Sequence, residues 1–351
     1  MKKMHRLLLM AAVLLSALAV AGSPAFSAEK ELRVVGSWSS LTMFNNFEKP
    51  FWTQELPEAM GGELKTSMTS LGQVNLKGPA VLRQMDMGVF HVVHTVADYV
   101  VSDSPELAGL DLPALAPDID KARAIADAYR PIVAKYLEKN FNAKLLSIAP
   151  YPAQVLFSRD KITGLDDLKG KKIRASGWTT AEFVKALGAT GVTLSFSEVP
   201  QALQRGVVDC AITGSLSGYS AGWGEVSNYI YPLPMGGWDH VIGCMNLDTW
   251  NSFSAQEQQL IQDLIQEKLE DPAWKVTEDE TRQGVACLTG QDCPHGEPNQ
   301  LTEVEVTEED LQKSRTVLLE SVLPAWSAMV DPAVVQEWNE TIGQVVDLKA
   351  K

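Results

Sequence analysis

Two runs of alternating strand-like and helix-like segments, separated by a proline-punctuated bend, constrain this chain more than any other feature. "ELRVVGSWSS" reads as a short β-branched strand that stops at Gly36 and turns through Trp38. "MFNNFEKPFWTQELPEAMGG" has apolar residues at helical spacing, "ELKTSMTS" alternates as a strand, "KGPAVLRQMDMG" is helical, and "VFHVVHTV" reads as a buried strand. That order is the pattern of a parallel α/β sheet. A helix over 120–140 follows, then a strand, the bend "APYPA" and another strand. The alternation then resumes through "KKIRAS", "TTAEFVKALGA", "VTLSF", "VPQALQRG" and "VVDCAIT".

The expected fold is therefore α/β with two lobes and a ligand cleft between them. Residues 28–150, with about 240–275, are assigned to the first lobe. Residues 151–239, with the helices of about 300–351, are assigned to the second. The chain crosses first at Pro150–Pro152 and again near "PLPMGGWDHVIG". Clefts between lobes bind small molecules, and the carboxyl ends of parallel strands supply the binding groups.

Lys2, Lys3 and Arg6 precede the apolar run "LLLMAAVLLSALAVA", and "GSPAFSAEKE" then offers small residues for cleavage. Residues 1–27 thus read as a secretory signal peptide rather than a membrane anchor, the run being short for a span. The formal charge is −14, and more negative once those three cations are removed. So acidic a chain repels nucleic acid and anionic lipid. An anionic small ligand must then be held by a local cation.

Cys287 and Cys293 lie in "ACLTGQDCPHG", a spacing that in an exported chain reads as a disulfide closing a local loop. Zinc is the rival reading, with His295 near, but a fourth ligand is lacking. Cys210 and Cys244 sit in apolar surroundings and read as buried thiols, with a bridge between them left open. His91 and His94 face opposite sides of a strand and do not chelate together.

"LKGKKIRASGW" ends a basic strand on Arg174, followed by small residues and Trp178. A guanidinium gives a carboxylate two parallel N–H bonds. On residues alone, a surface pair with Asp166 or Asp167 serves equally well. "FSEVPQALQRGVVDCAIT" decides which family to consider: Phe196, Glu198, Ala202, Leu203, Gln204, Gly206, Val208 and Asp209 stand in an F-x-E…A-L-Q-x-G-x-V-D order, at the right distance after "GLDDLKGKKIR". Together with "LGQVNLKGPAVLRQMDMG", these segments resemble the periplasmic solute-binding subunits of TRAP transporters, which capture organic acids for membrane subunits.

The resemblance implies a two-lobed periplasmic binding protein, with no enzymatic activity and no cofactor or metal, that closes on a carboxylate held by Arg174. Phe196 is implied to line the cleft. Thr213 stands where members often carry an asparagine. Gln154 stands where members binding polar acids often carry another arginine, and nearby Arg159 reads as a surface charge. Trp38, Trp178 and Trp238 lie in strand-end loops and suit a flat apolar ligand body. Trp52, Trp250, Trp274, Trp326 and Trp338 fit core patterns. The Gly72–Gln73 turn and Thr95 complete the expected first-lobe contribution. The expected ligand is an aromatic or indolyl monocarboxylate, with a C4-dicarboxylate or other polar acid as the alternative.

"GYSAG" formally matches a nucleophile elbow at Ser220, the basis for a secreted serine hydrolase as the reading of another class. Only His240 and His295 follow it, and "GSLSG" separates it from the preceding strand. A small-residue turn entering a helix fits better.

Overall fold

A computed structural model describes residues 30–76 and 78–351; the expected signal peptide lies outside the described residues. The strands are β1 (Lys30–Gly36), β2 (Leu64–Ser70), β3 (Val92–Val96), β4 (Ala143–Ala149), β5 (Gln154–Ser158), β6 (Lys172–Ala175), β7 (Thr190–Thr193), β8 (Cys210–Gly214), β9 (Tyr229–Tyr231), β10 (Val241–Asn246) and β11 (Thr302–Glu303). One sheet has the order β2-β1-β3-β10-β4, the other β11-β9-β5-β8-β6-β7. Each is a mixed sheet with a parallel part. β1 pairs parallel with β2 and β3, and β6 pairs parallel with β7 and β8. The strand that follows each crossing is antiparallel to its neighbours: β5 beside β8 and β9, β10 beside β3 and β4. These inserted strands are where the expectation of purely parallel sheets departs from the fold.

The two crossings run side by side. Tyr151 N donates to Trp238 O at 2.9 Å, Gln154 N to Gly237 O at 3.0 Å, and Gly236 N to Gln154 O at 3.2 Å. Because the main chain is bonded to itself here, this paired strap positions whatever side chains flank it.

Three helices matter for the site: α1 (Ile119–Phe141), α2 (Trp178–Ala186) and a long rod, α3, formed by Ala255–Leu264, the π-helical Ile265–Glu270 and Asp271–Leu288. The rod starts as expected, with Ser254 and Glu257 in a reciprocal cap. It then lies along both lobes. Trp274 Nε1 donates to Ile148 O at 2.8 Å on the first lobe, and Ser215 Oγ donates to Thr281 O at 2.8 Å on the second. Gly284 permits the second contact, since a Cβ there would stand 2.2 Å from Leu216 N.

The assignment of residues 300–351 to the second lobe needs correction. α4 (Glu308–Val317) does sit there, with Asp310 Oδ1 accepting from Leu165 N at 3.3 Å. Beyond it, α5 (Leu323–Met329) and α6 (Pro332–Glu340) cross to the first lobe. Trp326 Nε1 donates to Pro105 O at 3.1 Å and Trp338 Nε1 to Gly109 O at 3.0 Å. Two buried indoles that must also satisfy their N–H groups decide the packing, and an amphipathic pattern does not say which lobe supplies the acceptor. The five tryptophans expected in the core are all buried.

Cys287 and Cys293 form a disulfide. Cys210 and Cys244 are buried free thiols, which rules out a bridge between them here. Burial pushes the Cys210 thiol up to about 11. No metal-binding cluster of His, Cys, Asp or Glu occurs among the described residues, and no described helix is long and apolar enough to cross a membrane.

Candidate ligand site

Strand direction gathers the chemistry. β1, β3, β6 and β8 end at the cleft, and the antiparallel β5 and β10 begin there, so each delivers its terminal residues to one place. Trp38 follows β1, Asp98 and Tyr99 follow β3, Arg174 lies near the end of β6, and Thr213 near the end of β8. Gln154 opens β5, and Asp239 stands two residues before the start of β10.

Arg174 is 1% exposed. Its Nε donates to Leu194 O at 3.1 Å, one terminal nitrogen to Ile212 O at 2.6 Å, and the other to Tyr99 Oη at 3.3 Å. Trp223 lies beneath it, with the guanidinium carbon 5.5 Å from the ring centroid. Among the described residues, no carboxylate forms an ion pair with it. A buried cation is costly to leave unmatched, and carbonyl dipoles and an indole face offset only part of that cost. An anion placed beside it would offset the rest.

Aromatic rings form its walls. Trp38 stands 5.7 Å from Tyr99, 6.3 Å from Tyr151 and 5.4 Å from Phe196 by ring centroids, and Phe196 in turn stands 5.3 Å from Trp223. A cavity of about 10 Å³ lies against Arg174, bounded also by Gln154, Thr213, Phe196, Trp38 and Asp239. That is room for about one water. Beside it opens a chamber of about 520 Å³, lined by residues including Leu71, Thr95 and Trp178. Trp38 and Tyr99 border both spaces. A ligand reaches Arg174 only if the lobes part or Trp38 moves.

A buried network supports the Trp38 turn. Glu48 Oε2 accepts from Ser37 N at 2.7 Å, and His94 Nε2 accepts from Trp52 Nε1 at 2.7 Å, with His94 Nδ1 3.6 Å from Glu48 Oε1. Burial drives Glu48 up to about 7 and His94 down to about 3. The imidazole is neutral, as an acceptor for an indole N–H requires.

The remaining polar groups are acids. Burial pushes Asp98 up to about 6, against the pull of the Thr179 N–H and hydroxyl. Asp239 is pushed up to about 8, first by burial and then by the charges of Asp98 and Asp111, while Arg174 and Ser176 pull the other way. At neutral pH, Asp239 therefore does not neutralise Arg174.

Residues 37–321 match the DctP model of bacterial extracellular solute-binding proteins, family 7. The chain belongs to this family. Its members are binding proteins rather than enzymes, and they act outside the cytoplasm. The fold is that of TRAP periplasmic solute-binding proteins. The one from Desulfovibrio salexigens, solved with bound orotic acid, superimposes with a TM-score of 0.80 at 18% identity over 90% of this chain and 99% of that one. The ectoine-binding protein of the Halomonas elongata TeaABC transporter gives 0.79 at 20% identity over 91% and 100%. By sequence, protein YiiZ of Salmonella typhimurium is 27% identical over 240 residues, 66% of this chain and 72% of its own.

Ser220 has no hydrolytic setting. It ends the helix Ser215–Ser220 instead of standing on a strand-to-helix elbow. His240 is buried with its Nδ1 3.3 Å from Asp111, and His295 Nε2 shares a hydrogen bond with Gln283.

The expected site residues separate into three groups. Arg174, Phe196, Thr213, Gln154 and Trp38 meet at the small cavity; Thr95, Trp178 and Trp38 line the larger chamber. Trp238 and Gln73 line neither and are corrected. Trp238 is buried in the core, its Nε1 donating to Ala116 O at 3.3 Å. Asp239 beside it has a φ of +46°, so neighbouring side chains part company at that point, the carboxyl toward the cavity and the indole away. Gln73 is exposed, and its Oε1 accepts from Ser70 N at 2.9 Å as half of a capping box. A local side-chain-to-backbone bond took a residue that looked available for a ligand. Sequence reasoning missed Asp98, Tyr99, Trp223 and Asp239. Asp98 and Tyr99 carried a signal, being polar residues immediately after a buried strand at the ligand end of a sheet.

Proposed function

We propose that this protein captures an aromatic or otherwise apolar monocarboxylate and delivers it to TRAP membrane subunits. The observation that carries the reading is Arg174, a buried cation with no described carboxylate partner, set among Trp38, Phe196, Tyr99 and Trp223. A ligand carboxylate supplies the missing charge, and a flat body finds aromatic faces. Gln154 occupies the place where another cation would serve a second carboxylate. A C4-dicarboxylate would leave that charge against an amide and rings, a poor exchange for water. The relative that holds orotic acid shares the fold, which supports an acid as cargo. Because contacts to the ligand come from both lobes, binding favours the closed form about the paired crossings.

A thermal-shift panel of phenylpyruvate, indole-3-acetate, succinate and glucuronate tests this. The aryl and indolyl acids should stabilise the protein and quench tryptophan fluorescence. Stabilisation by succinate or glucuronate, with the ring acids inert, would reject the apolar reading and leave the role of Arg174 standing.

A further inference from the structure

The cavity against Arg174 offers one cation and, on Gln154, a buried hydrogen-bond acceptor without a donor. Gln154 is 1% exposed, and its Nε2 donates to Pro152 O at 2.9 Å, which fixes which end of the amide is which. Its Oε1 is buried and has no donor among the described residues. The side chain cannot easily withdraw. Its backbone is bonded on both sides to the strap at Gly236 and Gly237, and a Cβ placed on Gly236 would stand 2.7 Å from the Gln154 Cβ. Asp239, 8% exposed, borders the same cavity from a backbone φ of +46° that non-glycine residues seldom adopt.

A buried acceptor left unmet is costly, and native proteins leave few. Arg174 calls for an anion, and Gln154 Oε1 calls for a donor. We propose that the ligand carries an N–H group, on a ring or as an ammonium, beside its carboxylate, and that Gln154 Oε1 receives that N–H while Arg174 receives the carboxylate. This rests on the reading of the cavity as a monocarboxylate site and narrows it. An acid without such a donor leaves the amide oxygen unpaired. A second carboxylate would set its charge against the same amide oxygen.

Pyrrole-2-carboxylate and furan-2-carboxylate test the idea, since they share ring size and carboxylate and differ in N–H against O. Calorimetry on the exported protein should find the pyrrole acid at least about tenfold tighter, because a site built to meet a donor discriminates against its absence. Gln154→Met should bring the two to within about threefold. Gln154→Leu should do the same and serves as the second variant if Gln154→Met folds poorly. Equal affinities in the wild type, or an unchanged ratio in both variants, would overturn the donor inference while the monocarboxylate reading stands. Failure of both ring acids to bind would overturn the two together.

Discussion

Asp98 of the first lobe accepts hydrogen bonds from the backbone N of Thr179, at 3.1 and 3.2 Å, and from its Oγ1 at 2.9 Å, in the first turn of α2 of the second lobe. A carboxylate thus caps a helix N-terminus across the cleft, where the exposed N–H groups and the helix dipole favour negative charge. Gly177 makes the approach feasible, since a Cβ there would stand 2.4 Å from Asp98 Oδ2. Together with the bond from Arg174 to Tyr99, this contact ties the lobes together.

Asp98→Ala should therefore shift the unliganded protein toward an open form. The expected results are a larger radius of gyration by small-angle scattering and an affinity lowered by about tenfold, because the ligand must then supply the lost closing energy. Scattering and affinity both equal to wild type would show that the latch does not hold the lobes.

Arg174→Ala should remove most of the affinity for the carboxylate, by ~2–5 kcal/mol, since it strips the partner from a desolvated charge. Arg174→Lys should restore only part of it, because the planar fork that reaches Leu194 O, Ile212 O and Tyr99 at once is lost. Calorimetry with the co-purified small molecule, identified by mass after denaturation, measures both. An affinity for Arg174→Ala within threefold of wild type would remove this residue from the site.

Stability of the unliganded protein should decline as pH rises from 6 to 8.5. Asp98, Glu48 and Asp239 are raised to about 6, about 7 and about 8 in the folded protein. A raised carboxyl contributes stability that is full below its unfolded value and is lost as pH climbs through its folded one. His94, lowered to about 3, has the opposite sense: its contribution is present above its unfolded value of 6.5 and is lost as the pH falls toward 3. The melting temperature should thus peak in mildly acid solution. A flat or rising profile over pH 6–8.5 in calorimetry would contradict the assignment of these acids as buried and strained toward protonation.

The Cys287–Cys293 bond should be present in periplasm-derived protein and should show as a two-hydrogen mass difference on reduction, localised by peptide mapping. It closes a short loop that returns the chain to α3, where Asn299 N donates to Cys287 O at 2.8 Å and Leu301 N to Leu288 O at 2.9 Å. Loop-closure entropy for so short a ring is about 2 kcal/mol, so replacing both cysteines should lower stability modestly and leave ligand affinity intact. Two readily alkylated thiols at these positions would refute the bond.

The sequence by itself determined the two α/β lobes, the two crossings and the disulfide pair, and it pointed to several residues that the structure brings together at one cavity. These are features of local periodicity, turn chemistry and strand-end position, which the order of residues carries directly. Arg174, Phe196, Thr213 and Gln154 were legible through the family-motif positions they occupy, and Trp38 through its place in the turn after β1. Tertiary structure alone decided what depends on partners distant in the chain. Trp238 went to the core because its N–H found Ala116 O, and α5 and α6 returned to the first lobe because two indoles found Pro105 O and Gly109 O. The antiparallel placement of β5 and β10 follows from how the paired crossings lie. Asp98 and Tyr99 joined the site from across the cleft, Trp223 from beneath Arg174 in its own lobe, and Asp239 from the second crossing. Burial, and the shifted acidities that follow from it, is a property of the packed volume and has no period in the sequence.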